Sequence, residues 1–132
     1  MSGSITRRGV LTGAAALAGV ASLPGILKAS AIGHVVVDER LAHSTVFAAG
    51  IAGSRIHRVS ALDDLCNRWY TRMRREVLAD TRDIAGLTNW MDYIVMQGCV
   101  AEISYRRTGY TEHLTASGHV AMVTWVFSPR SV

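Results

Sequence analysis

Lysine is almost missing from this chain, and cysteine and proline occur only twice each. The one lysine is Lys28, so the basic side chains beyond it are arginines and histidines. Cys66 and Cys99 are too far apart for a Cys-x-x-Cys redox motif, a haem-attachment motif or a zinc knuckle. No uninterrupted run of about 20 strongly apolar residues occurs, which argues against a permanent membrane-spanning helix.

The glycine pattern of nucleotide-binding loops is also missing. Residues 37–41, which follow the first predicted strand, contain no glycine where Gly-x-Gly-x-x-Gly would belong, so we expect no cofactor. The serines lie in no Gly-x-Ser-x-Gly turn, and neither cysteine stands beside a histidine. We therefore assign no catalytic residue, and an enzyme assembled from dispersed residues is the least favoured hypothesis.

The amino-terminal segment is the most distinctive feature that is present. Thr6-Arg7-Arg8-Gly9-Val10-Leu11-Thr12 precedes an apolar run rich in alanine and glycine, which leads to Ala29-Ser30-Ala31. An arginine pair, a mildly apolar segment and a small-x-small cleavage pattern are the three parts of an export signal. Through Arg7, Arg8 and Leu11 the segment resembles the twin-arginine (Tat) signal, with valine and threonine replacing the usual phenylalanine and lysine.

This resemblance implies a bacterial protein that the Tat translocase exports, already folded, to the periplasm or the medium. Cleavage after Ala31 would make residues 1–31 the signal peptide and residues 32–132 one small domain. Lys28 lies just before this site, where a positive charge disfavours the general secretion route. An uncleaved membrane anchor is the alternative.

Removal of the signal changes the charge of the protein. The whole chain has a formal charge of +4, but beyond residue 31 eleven arginines face ten acidic residues. The concentrated positive face that nucleic-acid binding requires therefore loses its main support. We expect no nucleic-acid partner.

Strand and helix patterns alternate along the exported part. The β-branched run at 34–37 predicts a strand, and apolar residues three or four apart from Leu62 to Val77 predict a helix. The remaining predictions are a helix at 41–51, strands at 55–59 and 83–88, a helix at 90–102, and a terminal hairpin of strands at 103–111 and 120–127.

This alternation is typical of an α/β domain. We predict a small three-layer fold with a mainly parallel sheet, a truncated flavodoxin-like or Rossmann-like domain with a C-terminal β-hairpin. Ligands of such sheets bind beyond the carboxyl ends of the strands. The candidates there for binding a small anion are Asp38, Arg40, Ser60, Thr88 and Asn89. The alternative is that these residues only cap helices and form surface pairs.

Two further sites depend on conditions that the sequence leaves open. If the second and third helices lie side by side, Cys66 and Cys99 could form a disulfide in an oxidising periplasm; otherwise they are separate thiols. If Ile32 is the first residue after cleavage, His34 occupies the third position. A free amine, two amides and an imidazole then offer the square-planar nitrogen set that Cu(II) or Ni(II) prefers.

Export in the folded state suggests the function. The Tat route serves proteins that carry a cofactor and partners that travel together, and this chain has no recognisable cofactor motif. We therefore expect an accessory or escort subunit of a larger exported enzyme without its own signal, with an oxidoreductase as the favoured class. Gly86-Leu87-Thr88-Asn89-Trp90 resembles a segment of small Tat-exported proteins of unknown function. The alternatives are an autonomous anion-binding domain and, for the polar helix face at 68–75, docking of an acidic partner.

Overall fold

The computed structural model describes residues 32–51 and 53–130 of the chain. The predicted export signal lies outside these residues, with its functional positions Arg7, Arg8, Leu11, Ala29 and Ala31. No helix within the described ranges combines the length and the apolar character needed to cross a bilayer.

Five strands and three helices follow one another along the described residues. In order they are β1 (Ile32–Asp38), α1 (Ser44–Ala49), β2 (Arg55–Val59), α2 (65–79), β3 (Asp83–Thr88), α3 (Trp90–Ala101), β4 (Tyr105–Leu114) and β5 (Val120–Pro129). Helix α2 changes its winding on the way: it consists of α-helical Leu65–Arg68, π-helical Trp69–Met73 and α-helical Arg74–Ala79.

The strands form a single mixed sheet in the order β2-β1-β3-β5-β4. Strand β1 pairs in parallel with β2 and β3, whereas β5 pairs antiparallel with both β3 and β4. Only half of the ladders are therefore parallel. The prediction of a three-layer, mainly parallel sheet of the flavodoxin-like or Rossmann-like type is wrong.

The position of β5 explains this error. Helix α3 carries the chain past one strand position, so that β4 forms the edge of the sheet and β5 returns into the gap beside β3. Alternating strand and helix patterns predict crossover connections. They do not encode which neighbour the last strand of a hairpin pairs with.

The two faces of the sheet are covered unequally. Helices α2 and α3 pack on one face, where Trp69, Met73 and Met96 lie in a core with Val36 and Trp125. On the other face the six-residue helix α1 supplies the apolar side chains that pack against β1 and β3, which are Phe47 and Ala48. The second layer of helix is thus one short element.

The π-helical segment keeps one apolar stripe of α2 facing the sheet. Leu65, Trp69, Met73 and Val77 are all buried, although they are spaced by steps of four residues. In an α-helix each such step turns the side chain about 40° beyond a full turn. The wider π turn offsets this drift. Leu62, predicted to belong to the same stripe, precedes the helix and is 99% exposed.

A tryptophan joins the parallel and antiparallel halves of the sheet. The Trp125 ring on β5 lies over Gly86 on β3, where any Cβ atom would overlap it. The indole Nε1 also donates a hydrogen bond of 3.0 Å to Thr88 Oγ1. Glycine is therefore required at position 86 for space, not for backbone conformation.

We expect Gly86→Ala to destabilise the domain by about 1–3 kcal/mol or more, because the added methyl group overpacks a buried ring. The control is Gly98→Ala on the exposed side of α3, where a Cβ meets nothing within 4 Å. Alanine should stabilise that helix by up to about 1 kcal/mol. Urea unfolding followed by circular dichroism measures both. Equal stability of the two variants would contradict the assigned packing of Trp125.

Candidate functional site

Of the residues predicted at the strand ends, Asp38 and Arg40 form an ion pair with each other. Asp38, at the end of β1, is 1% exposed. The Arg40 guanidinium donates from Nε to Asp38 Oδ1 at 2.8 Å and from Nη2 to Oδ2 at 2.9 Å. Asp92 Oδ2 lies 3.6 Å from Arg40 Nη2. Burial, together with the charge of Asp38, raises the pKa of the Asp92 carboxyl. The arginine charge is thus already matched by carboxylates.

The other predicted ligand residues in this region take part in local hydrogen bonds. Ser60 Oγ accepts from the Asp63 amide at 3.1 Å, and Asn89 Oδ1 caps α3 by accepting from the Asp92 amide at 2.7 Å. Thr88 Oγ1 accepts from Trp125 and donates to the Asn89 carbonyl. These contacts are those of caps and turns, and binding of an anion here stays a prediction.

Both cysteines are free thiols in the structure, with Cys66 exposed on α2 and Cys99 buried on α3. Burial raises the pKa of the Cys99 thiol to about 11, and the nearby Cys66 adds to the shift. Tyr70 links the same two helices by donating to Glu102 Oε2 at 3.0 Å. A disulfide between Cys66 and Cys99 under oxidising conditions stays a prediction.

A buried pair of histidines, which the sequence analysis does not identify, lies under α2. His34 on β1 and His57 on β2 are 0% and 2% exposed. Their rings stack with centroids 5.6 Å apart, and His57 Nε2 lies 3.4 Å from His34 Nδ1. His34 Nε2 is 2.8 Å from the Asp80 carbonyl oxygen. Use of His34 in the predicted Cu(II) or Ni(II) site would require its ring to leave these contacts.

The outer nitrogen of this pair faces a carboxylate. His57 Nδ1 lies 3.7 Å from Glu76 Oε1 on α2. Burial lowers the pKa of His57 to about 4, and His34 contributes to the shift against the opposing effect of Glu76. His57 is therefore a neutral imidazole at pH 7.

These two side chains lie at an open cleft of about 300 Å³ between β2 and the outer face of α2. Besides His57 and Glu76, it is lined by Ile56 and by the arginines Arg55, Arg68 and Arg72. Strand β2 is an edge of the sheet, so nothing on its far side closes the cleft within the described part of the chain.

The arginines differ in their partners. Arg68 Nη1 donates to Asp63 Oδ2 at 2.6 Å, while its buried Nε has no hydrogen-bond partner among residues 32–51 and 53–130. Arg72 Nε donates to Glu76 Oε2 at 3.3 Å. No ion pair is formed by Arg55 within those ranges.

The sequence contains only part of the signal for this cleft. Arg68 and Arg72 belong to the polar helix face predicted from periodicity, and His57 lies in a predicted strand. These residues come together because β2 pairs with β1 and because α2 packs across these two strands. The strict four-residue spacing in α2 is the feature that could have indicated the π segment, a winding often found at functional sites.

Nothing in the described ranges groups three or more histidine, cysteine or acidic side chains as a metal site. No protein-family model, characterised protein or solved structure matches the chain.

Two buried histidines, His57 and His113, predict how the stability of the fold depends on pH. Burial lowers the pKa of His113 to about 4 as well, helped by His43. In the unfolded chain these imidazoles have a pKa near 6.5. Between pH 6.5 and 4 they therefore bind protons in the unfolded chain but not in the folded chain. As the pH is lowered across this interval, the free energy of unfolding should therefore fall by about 1.4 kcal/mol per pH unit for each histidine, and it should stay level between the upper end of the interval and pH 7.

Chemical denaturation at pH 7, 6, 5 and 4.5 measures this slope. The double variant His57→Gln, His113→Gln should flatten it, whereas His119→Gln, on an exposed turn, should leave it unchanged. A wild-type slope that persists in the double variant would mean that other groups cause the acid sensitivity.

Proposed function

We propose that this domain binds a small anion in the cleft between β2 and α2. The observation that carries the proposal is the charge of the lining, in which Arg55, Arg68 and Arg72 outnumber the one acidic residue, Glu76. Arginine forks suit carboxylate and phosphate oxygens because they donate two parallel hydrogen bonds. This keeps the anion-binding hypothesis but moves its site from the strand ends to the edge of the sheet.

Two arginine donors support this placement. The guanidinium of Arg55 has no ion-pair partner among the described residues, and Arg68 Nε is a buried donor without an acceptor. Buried donors normally find partners in folded proteins, and each one left without an acceptor costs about 1–3 kcal/mol. An anion that orders Arg68 in the cleft would recover part of this energy.

The size of the cleft limits the ligand. A volume of about 300 Å³ lies at the lower end for small-molecule sites and suits a phosphate or a short dicarboxylate. The open mouth leaves such a ligand partly hydrated, so the charge interactions should weaken as salt is added.

Isothermal titration with succinate at low ionic strength tests the proposal. Arg55→Gln should weaken binding about tenfold, because one charge-assisted hydrogen bond is lost. Arg106→Gln is the control, since it makes the same change of charge on β4, at the opposite edge of the sheet. Equal weakening by both variants would contradict the cleft as an anion site.

We also propose that the protein is exported to the periplasm by the Tat route as an accessory subunit of a larger enzyme. Support comes from the first turns of α3, where Trp90, Met91 and Ile94 expose 47%, 62% and 39% of their surface. Large apolar side chains exposed close together are typical of protein contacts. A larger enzyme subunit without its own signal is the partner that this route of export favours, with an oxidoreductase as the favoured class.

Mild purification of the C-terminally tagged chain from the periplasm, with intact masses of all components, tests this second proposal. We expect a stoichiometric larger subunit and a domain that begins at Ile32. Met91→Gln should release the partner, whereas Val120→Gln, at an apolar position on β5 that is 42% exposed, should retain it. Recovery of the domain alone would contradict the accessory role, and another mass would contradict cleavage after Ala31.

A further inference from the structure

We propose that the ligand of the cleft carries an N–H or O–H donor beside its anionic groups, and that His57 Nδ1 and Glu76 Oε1 accept this donor together. The inference rests on the proposed anion-binding function and adds the class of ligand. An amino- or hydroxy-substituted carboxylate is expected rather than a plain dicarboxylate or sulfate.

The direction of the hydrogen bonds in the histidine pair follows from the group at its inner end. The Asp80 carbonyl oxygen can only accept, so the hydrogen lies on His34 Nε2, 2.8 Å away. With this hydrogen on Nε2, His34 offers Nδ1 as the acceptor, and His57 Nε2 donates to it across 3.4 Å. His57 Nδ1 is thereby left without a hydrogen where it meets the cleft.

The nearest partner of this bare nitrogen is an acceptor too. Glu76 Oε1 is 3.7 Å from His57 Nδ1, while Arg72 donates to the other carboxylate oxygen, Oε2. Two acceptors at this separation repel each other unless a donor lies between them. A nitrogen or oxygen about 2.8–3.0 Å from both atoms fits the gap with ordinary hydrogen-bond lengths. An ammonium group, with three hydrogens, can serve both acceptors at once.

The charges around the gap define the rest of the ligand. Arg55, Arg68 and Arg72 favour a ligand with net negative charge, so the donor must accompany more than one anionic group. Aspartate has two carboxylates and an ammonium on a four-carbon chain. Malate has a hydroxyl in place of the ammonium, and succinate has neither. The three compounds differ in this one substituent, and the ammonium group gives aspartate one net negative charge fewer than malate or succinate.

Titration of the full exported domain with aspartate, malate and succinate separates the possible outcomes. We expect aspartate to bind at least tenfold more tightly than succinate, the effect of one charge-assisted hydrogen bond, with malate between them. Equal affinities would overturn the donor inference and leave anion binding intact. Failure of all three to bind would overturn the proposed function itself.

A substitution and a spectrum test the acceptor pair directly. Glu76→Gln should reduce the preference for aspartate over succinate several-fold, because the charged acceptor is replaced by a neutral amide. Long-range nitrogen-15 spectra of the wild-type histidines should show His57 Nδ1 without a hydrogen, and its resonance should move with aspartate but not with succinate. A hydrogen on Nδ1 in the free protein at pH 7 would overturn the proposal even if the variant failed to fold.

Discussion

The contact between the Trp125 ring and Gly86 lies where the two halves of the sheet join, within the ladder that pairs β3 with β5. Strands β1, β2 and β3 form the parallel half, and the β4–β5 hairpin adds the antiparallel half. Only the absence of a side chain at position 86 lets the indole lie flat across this junction and reach Thr88. A buried aromatic ring contributes a large apolar area. Because α2 and α3 pack on the face that Trp125 helps to form, their positions depend on the same contact.

The candidate cleft belongs to the parallel half alone. Strand β2 contributes His57, and α2 contributes Glu76 and the two arginines of its outer face. A buried polar pair such as His34 and His57 stabilises a fold little, because apolar residues of similar volume would pack without a desolvation cost. Stability alone does not require the buried histidine pair, the arginine lining of the cleft or the π segment of α2. We therefore propose that the functional site lies there.

The sequence predicts the local elements better than their arrangement. Periodicity places Trp69, Met73 and Val77 on the buried side of α2, and all three are buried. It fails for Leu62, because a cap at Asp64 starts the helix later, and Asp64 accepts from the Asn67 amide at 2.8 Å. The place of β5 and the meeting of His34 with His57 depend on strand order, which short-range patterns do not contain. Among the predicted strand-end residues, the two charged ones, Asp38 and Arg40, pair with each other.

The position of Ile32 in the sheet bears on the proposed removal of the export signal. Ile32 is 0% exposed and pairs with Asp83 at the start of β1, a strand with neighbours on both sides. If the chain is exported folded, a peptidase that cuts next to Ile32 meets a strand that is already in place. The end of that strand must open before the scissile bond can enter an active site. The speed of signal removal would then be set by local unfolding at the start of β1 as much as by the peptidase.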